Sequence, residues 1–174
     1  MDSEERERFE RATLPHLDAA YNLARWLTRD EHAAEEVVQE ACCRAARFFA
    51  SFRGGDGRTW LLAVVRRVSY DWLQKRRAAA ALTSFDEEAH SPDDDALGPE
   101  HLAIRNADVQ LLRQAVEELS PEHREVIVLR EMEELSYQEV AVVAGVPVGT
   151  VMSRLSRARK QLQRRLAPCP GAED

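Results

Sequence analysis

The sequence is poor in the residues that build disulfide scaffolds and metal sites. Three cysteines and five histidines occur among 174 residues, and no CxxC or HExxH spacing is found. Cys42 and Cys43 are adjacent, so they cannot readily pair with each other, and Cys169 follows a proline. A secreted disulfide-stabilised domain would need more cysteines at useful spacings. We therefore expect neither a disulfide scaffold nor a metal site.

Long apolar runs are also missing. No stretch approaches the roughly 18–20 apolar residues that a bilayer-spanning helix needs. The first ten residues, MDSEERERFE, are charged throughout, unlike a signal or transit peptide. A composition of 44% hydrophobic and 32% charged residues is typical of a globular chain. These features predict a cytoplasmic protein.

The motifs of common nucleic-acid enzymes do not occur either. Such an enzyme needs a nucleophile, a set of metal-binding carboxylates or a glycine-rich phosphate loop. The acid cluster 93–95 lies in a segment that predicts a linker, and no Walker pattern exists. We expect no catalytic residue, no cofactor and no small-molecule substrate, so the chain is predicted not to be an enzyme.

Charge is distributed unevenly along the chain. The net charge is −7, yet residues 53–77 hold seven Lys and Arg against two acids, and residues 148–166 hold six and no acid. Residues 78–110 hold one basic residue against eight acids. Phosphate contacts supply most non-specific affinity for DNA, so a globally acidic chain should bind DNA poorly by itself. The pattern indicates two basic patches separated by an acidic segment.

The apolar periodicity is helical throughout. Between residues 30 and 49, and again between 58 and 77, apolar residues recur at spacings of three and four, which predicts helices with one buried face. After residue 77 the composition turns rich in acids, proline and glycine. We predict an all-α fold of two small helical domains, residues 5–77 and 100–167, joined by an acidic flexible linker at 78–99.

The second domain carries the pattern of a helix-turn-helix. Ser136 and Glu139 form a predicted capping box, and Gly145 is placed to supply a left-handed turn. Val151 would then pack the last helix, opened by Pro147, against the preceding one. Serine, threonine and arginine on the outer face of such a helix can reach base edges in the major groove. The alternative is a plain helical hairpin with a charged outer face.

The first domain offers a second candidate surface. Arg66 and Tyr70 share a helix face, with Arg67 beside them, near Trp60 and a glycine-rich loop. Stacking and phosphate neutralisation are the means by which single strands are gripped. The alternative is a solvated basic face. The acidic face of the preceding helix, residues 35–40, is either solvent-exposed surface or a docking surface for a basic partner.

In the order of its parts the chain resembles the extracytoplasmic-function (group 4) bacterial sigma factors, which keep the second and fourth conserved regions. The segment EEVVQEACCRA is similar to the stretch that docks on the β′ clamp helices of RNA polymerase. The resemblance implies that core polymerase is bound by Glu36, Gln39, Glu40 and Arg44.

Two further segments extend the resemblance. FRGGDGRTWLLAVVRRVSYDWLQKRR looks like the part that captures the melted −10 element, and LSPEHREVIVLREMEELSYQEVAVVAGVPVGTVMSRLSRARKQL resembles the part that reads the −35 element. The implied −10 residues are Phe52, Arg53, Gly54, Gly55, Arg58, Thr59, Arg66, Arg67 and Tyr70. The implied −35 residues are Thr150, Ser153, Arg154, Ser156, Arg157 and Lys160.

The resemblance also implies a function and partners. The chain would bind core RNA polymerase through the β′ clamp helices and the β flap, and direct promoter-specific initiation on promoter DNA. It implies an anti-sigma factor that holds the chain inactive, and a linker that threads toward the active-site and RNA-exit channels of the polymerase. The chain departs from the family pattern at Ala33, Cys42, Ala46, Arg67 and Met152.

Two other classes of protein remain as alternatives. A stand-alone regulator with a terminal helix-turn-helix would need a ligand-binding or phosphoacceptor domain in residues 1–100, where no alternation of strands and helices is found. It would also bind duplex DNA alone, with steep salt dependence. A pure interaction module such as an anti-sigma protein is the second alternative.

Overall fold

The computed structural model describes residues 2–83 and 103–167, which are helical and contain no β-strand. The predicted all-α class is therefore confirmed. The N-terminal unit comprises four helices: α1 (Ser3–Thr13), α2 (Leu17–Thr28), α3 (Glu31–Phe48) and α4 (Gly57–Thr83). Short 3₁₀ turns, Leu14–His16 and Phe49–Ser51, join α1 to α2 and follow α3.

Local chemistry explains where these helices begin and end. The side chains of Asp2 and Asp30 accept hydrogen bonds from backbone N–H groups in the first turns of α1 and α3. Arg29 closes α2 in the left-handed conformation, with a φ of 61°. A β-carbon at Gly57 would collide with the carbonyl oxygen of Ala12, so glycine permits α4 to start against α1.

The buried faces of α2, α3 and α4 form the core of the N-terminal unit. Ala34, Val37, Ala41 and Ala45 follow the predicted stripe of α3, whereas Phe48, predicted on that stripe, is 64% exposed. The small residues let α2 and α4 pack closely on α3. The core residues of the other two helices are Ala20, Leu23, Ala24, Leu27, Leu61, Leu62, Val65 and Val68.

Helix α4 is longer than the sequence predicted. It continues to Thr83, six residues beyond the position at which the composition changes. The added segment includes four alanines at 78–81, and alanine has the highest helix propensity of all residues. Most of the predicted acidic linker, including the cluster 93–95, lies outside the described residues, as does Cys169.

The C-terminal unit contains α5 (Ala103–Glu117), α6 (Pro121–Ile127), α7 (Tyr137–Ala144) and α8 (Val148–Leu166). A π-helical turn, Val128–Met132, extends α6. The Ser120 side chain caps α6, and Pro121 occupies its first position. Val126, Leu129, Val140, Val151, Leu155 and Ala158 lie in the core of this unit.

The predicted helix-turn-helix is formed by α7 and α8. Both hydrogen bonds of the capping box between Ser136 and Glu139 are present, and Gly145 is left-handed with a φ of 65°. The two helices meet at 98°, within the range of such motifs. Val151 is fully buried, as predicted. Among the described residues no single helix is long and apolar enough to span a membrane, and α7 with α8 passes that test jointly, as a bent pair.

The two units pack directly against each other. Helix α2 contacts α6, and α4 contacts α7. The apolar residues of both units belong to one continuous cluster. The sequence predicted two domains joined by a linker and did not predict this interface. Its polar contacts include three residues predicted to bind DNA, Arg58, Arg66 and Tyr70.

Candidate nucleic-acid and polymerase interfaces

The outer face of α8 is polar and contains no acid. Four of its predicted −35 residues, Ser153, Ser156, Arg157 and Lys160, are exposed. Thr150 is half-buried. Because α7 and the left-handed turn at residue 145 hold α8 at a steep angle, this face projects as one surface. It has the donors and acceptors that major-groove readout requires.

Arg154 differs from the other predicted −35 residues. The sequence places its side chain outward, but the structure buries it partly and leaves its Nη1 buried with no hydrogen-bond partner among the described residues. Burial raises the pKa of the nearby Glu125 carboxyl, and the positive charge of Arg154 opposes that rise. The packing of α8 on α6 within the C-terminal unit explains this difference, because it brings Arg154 close to Glu125.

The loop before α4 is shaped by its glycines. Gly54 and Gly55 have φ values of 85° and 109°, a conformation that L side chains rarely adopt. Asp56 then caps α4 by accepting hydrogen bonds from the backbone N–H groups of Arg58, at 3.1 Å, and Thr59, at 3.0 Å. Burial opposes ionisation of Asp56, but hydrogen bonds from Thr59 and Arg58 outweigh it and lower the pKa of the carboxyl.

Two predicted −10 residues have structural contacts in the N-terminal unit. Thr59 is buried, and its hydroxyl donates to Asp56. Phe52 is half-buried, stacks on Phe49 at a ring-centroid distance of 5.5 Å and contacts Trp60 at 5.0 Å. The aromatic rings therefore support the glycine loop. Arg53, Gly54, Gly55 and Arg67 are exposed.

Arg66 and Tyr70 meet a carboxylate from the other unit. Arg66 forms an ion pair with Glu125, and the Tyr70 hydroxyl donates to the second oxygen of Glu125 at 2.9 Å. Glu125 is fully buried. Burial raises the pKa of Glu125, and this effect outweighs the opposing effect of Arg66. Glu125 of α6 thus occupies part of the predicted strand-binding face of α4.

Arg58 also forms an ion pair with a carboxylate of the C-terminal unit. Its Nη2 donates to Glu133 at 2.7 Å, and Asn22 Nδ2 on α2 donates to the other oxygen of that carboxylate at 2.6 Å. The Glu133 side chain is 10% exposed. Two carboxylates of the C-terminal unit therefore satisfy three of the predicted −10 side chains.

The predicted polymerase-docking face lies on α3. Glu36, Gln39 and Glu40 are exposed, while Arg44 is half-buried. Arg44 donates to Glu40 at 2.7 Å and to Asp71 of α4 at 2.8 Å. Arg44 therefore ties α3 to α4 and orients Glu40 beside the exposed acidic surface.

Sequence reasoning missed the charged residues at the interface between the units. Arg124 donates to the backbone carbonyl of Trp26, at 2.9 Å, across the interface, and to that of Leu119, at 2.8 Å, within its own unit. Burial lowers the pKa of Arg124 to about 10. Arg124 and Glu125 directly precede four apolar residues, 126–129. Because buried charges need partners, two charged residues directly before such an apolar run were the available signal that they would be paired inside the protein.

Comparison with known families covers both units. Residues 14–79 match sigma-70 region 2, and residues 109–162 match sigma-70 region 4. Over 146 residues the chain is 33% identical to the RNA polymerase sigma-H factor of Pseudomonas aeruginosa, covering 80% of this chain and 76% of that protein. Over 140 residues it is 34% identical to the ECF sigma-E factor of Escherichia coli K12, covering 76% and 73%.

A third relative is longer than this chain. The ECF sigma factor SigE of Mycolicibacterium smegmatis is 33% identical over 156 residues, which are 87% of this chain and 59% of that protein.

Solved structures show the same helical arrangement. The sigma factor RpoE in complex with the anti-sigma factor NepR, from Bartonella quintana, matches with a TM-score of 0.71 and 29% identity, over 92% of this chain and 97% of that one. CnrH in complex with the cytosolic domain of CnrY shares the fold, with a TM-score of 0.64 and 24% identity, over 92% and 88%. With both regions present in the expected order, the chain belongs to the extracytoplasmic-function sigma factors, the subunits that direct promoter-specific initiation by RNA polymerase.

Proposed function

We propose that this chain binds core RNA polymerase and uses its two helical units to recognise the two elements of a promoter. The observation that carries the proposal is the exposed, acid-free face of α8, which a left-handed glycine and a capped α7 hold at 98° to the preceding helix. A helix in that position fits the major groove of a −35 duplex. Ser153, Arg157 and Lys160 would make the contacts to bases and phosphates.

The N-terminal unit would capture the melted −10 strand. The exposed glycines at 54 and 55 leave room for a nucleotide, and Arg53 and Arg67 are available to its phosphates. Arg58, Arg66 and Tyr70 would join them after the two units separate. Aromatic stacking and phosphate neutralisation together account for strand binding of this kind.

Polymerase would dock on α3, whose exposed acids and Gln39 face away from the core. The β′ clamp helices are the expected contact of this face, and the β flap that of the C-terminal unit. One solved relative, the sigma factor RpoE from Bartonella quintana, is in complex with an anti-sigma factor. We propose such a protein as the inhibitor of this chain, a cytoplasmic location, and no catalytic activity of its own.

Co-elution with bacterial core RNA polymerase on a sizing column tests this proposal, with duplex DNA alone as the comparison. We expect a stoichiometric complex with core polymerase. We expect little binding to DNA alone, because the chain has a net charge of −7. Tight, salt-sensitive duplex binding without core binding would instead identify a stand-alone regulator.

The docking face is tested by Gln39→Ala combined with Glu40→Lys. The variant should lose most of its affinity for core because it removes one polar group and reverses one charge on α3. Glu7→Lys, an exposed acid on α1, is the matched control and should bind core normally. Equal loss in both variants would contradict the assignment of α3 as the docking face.

A further inference from the structure

One large apolar side chain is exposed on the face of α8 that we assign to the −35 duplex. Met152 is 53% exposed, although the preceding residue, Val151, is fully buried in the core. Ser153 follows it and Ser156 lies one helical turn later, and both are exposed. Met152 is therefore presented to solvent among side chains that form hydrogen bonds.

Helix geometry places Met152 in the part of α8 that would enter a groove. It belongs to the second turn of the helix Val148–Leu166, and the N-terminal residues of a recognition helix are those that contact base edges. Gly149 and Ser156 lie three residues before and four residues after it, on the same side of the helix. Because Gly149 is exposed and has open space around its α-carbon, no side chain there holds a duplex away from Met152.

The side of α8 that includes Met152 is uncharged at its start. Val148, one turn before Met152, is half-buried and lines a shallow depression with Val146 and Pro147. The first cation on this side is Arg159, seven residues after Met152, and it is paired with Glu131. A phosphate contact needs a cation or a hydrogen-bond donor, and the Met152 side chain offers neither. Met152 is therefore suited to a base and not to the backbone of DNA.

The chemistry of the major groove limits what a thioether can recognise there. Base pairs present hydrogen-bond donors and acceptors in that groove, and the C5-methyl group of thymine is the apolar exception. A donor or acceptor covered by Met152 would lose its water and gain no partner. A methyl group would instead gain van der Waals contact with a flexible and polarisable side chain.

We propose that Met152 determines specificity in the −35 contact by packing against the C5-methyl group of a thymine. The inference rests on the proposed function, which places α8 in the major groove. It adds an apolar contact to the polar contacts already assigned to that helix. The base pair that faces Met152 is then selected by its methyl group and not by a hydrogen bond.

Removal of single methyl groups from DNA tests the inference. The holoenzyme, this chain with core polymerase, first selects duplexes from a library that is randomised in the −35 region. Each thymine of the selected sequence is then replaced by deoxyuridine, which keeps base pairing and the O4 acceptor and removes only the methyl group. At the thymine that faces Met152 we expect affinity to fall about four-fold, the effect of burying one carbon of this size.

Two variants assign the methyl contact to Met152. Met152→Ala removes the thioether, and Met152→Gln keeps the length of the side chain but makes its end polar. Each variant should bind the thymine and deoxyuridine duplexes with equal affinity at this position. The matched control is Met132→Ala, which removes a methionine that is 40% exposed in the turn after α6, and it should keep the four-fold difference.

The inference is wrong if the wild type selects no thymine in the −35 region or tolerates deoxyuridine at every thymine. It is also wrong if either Met152 variant keeps the wild-type sensitivity to the methyl group, since another side chain would then read it. Failure of the proposed function would look different, because the wild type would form no complex with core polymerase and no duplex would be enriched.

Discussion

Glu125 is a carboxylate without exposure to solvent, placed between charges of both units. Arg66 and Tyr70 bind it from α4, and Arg154 lies near it on α8. Burial raises its pKa, and burial together with Glu125 also raises the pKa of Tyr70. At this residue the cost of desolvation exceeds the attraction of its neighbours.

The pH dependence of stability should reveal this cost. A carboxyl with a raised pKa in the folded chain contributes stability that is present below its ordinary value of 4.5 and is lost as pH rises through the folded value. Glu125→Gln does not titrate and can keep hydrogen bonds to Arg66 and Tyr70. The free energy of unfolding of the variant should therefore rise relative to the wild type above pH 4.5. Urea denaturation across a pH series measures this, and a constant difference would contradict it.

On α8, Arg157 and Arg159 are two residues apart but have different environments. Arg157 is exposed on the proposed −35 face, whereas Arg159 forms an ion pair with Glu131. Arg157→Ala should weaken holoenzyme binding to a −35 duplex by about 1–3 kcal/mol if it contacts a base. The affinity is measured on a duplex selected from a random library. Arg159→Ala is the control, and an equal loss in both would remove Arg157 from the recognition face.

At the scale of elements, the turn between α7 and α8 depends on one backbone conformation. Gly145 is left-handed and ends α7, and a β-carbon there would meet open space. Gly149 lies within α8 and also has open space around its α-carbon. The two glycines thus differ in backbone conformation and not in crowding.

Alanine substitution at these two positions should have opposite effects on stability. Gly145→Ala should lower the free energy of unfolding by about 1–2 kcal/mol, because an L residue is strained in the left-handed conformation. Gly149→Ala should raise it by about 0.5–1 kcal/mol, because alanine is preferred inside a helix. Chemical denaturation measures both changes. A loss of stability at Gly149 would show that the helix start needs glycine for another reason.

Helix α4 shows what periodicity can and cannot predict. Its spacing correctly predicted that Leu61, Val65 and Val68 are buried, since residues three and four apart share one helix face. The spacing also placed Arg66 and Tyr70 together on a second face. That this face meets Glu125 was not predictable, because the partner is 59 residues away from Arg66.

At the scale of the whole molecule, the two sigma regions form one continuous core. Helices α2 and α4 pack on α6 and α7, and the apolar cluster extends through both units. The net charge is −7, although the chain has two basic surfaces. Arg58 and Arg66 on one of them are paired with Glu133 and Glu125 of the same chain. We expect this acidic balance to reduce the affinity of the free chain for DNA.

A continuous core should make unfolding cooperative. Differential scanning calorimetry of the wild type should show one two-state transition, because separating the units exposes apolar surface of both. Asn22→Glu replaces the donor to Glu133 with a second carboxylate, and repulsion between the two should weaken the interface. We expect two transitions or one broadened transition, as each unit then unfolds by itself. A single sharp transition in the variant, at the same temperature, would show that the contact between Asn22 and Glu133 does not hold the two units together.

The sequence by itself determined the helices, their caps and the helix-turn-helix. These depend on neighbours within a few residues, such as Ser136 with Glu139 and the backbone freedom of Gly145. The segments that resemble the second and fourth sigma regions, and their order along the chain, were sufficient to identify the family as well. The end of α4 was predicted too early, at the change in composition after residue 77. The four alanines at 78–81 have a high helix propensity, so the helix continues through them to Thr83.

Only the tertiary structure decided which charged groups meet. The carboxylates opposite Arg58 and Arg66 come from residues 75 and 59 positions away, and no local pattern encodes such a pairing. The spacing of residues along the sequence predicts which side chains share a helix face, since helix geometry is regular. What lies against that face depends on how whole helices pack, and here packing sets the two DNA-binding units against each other.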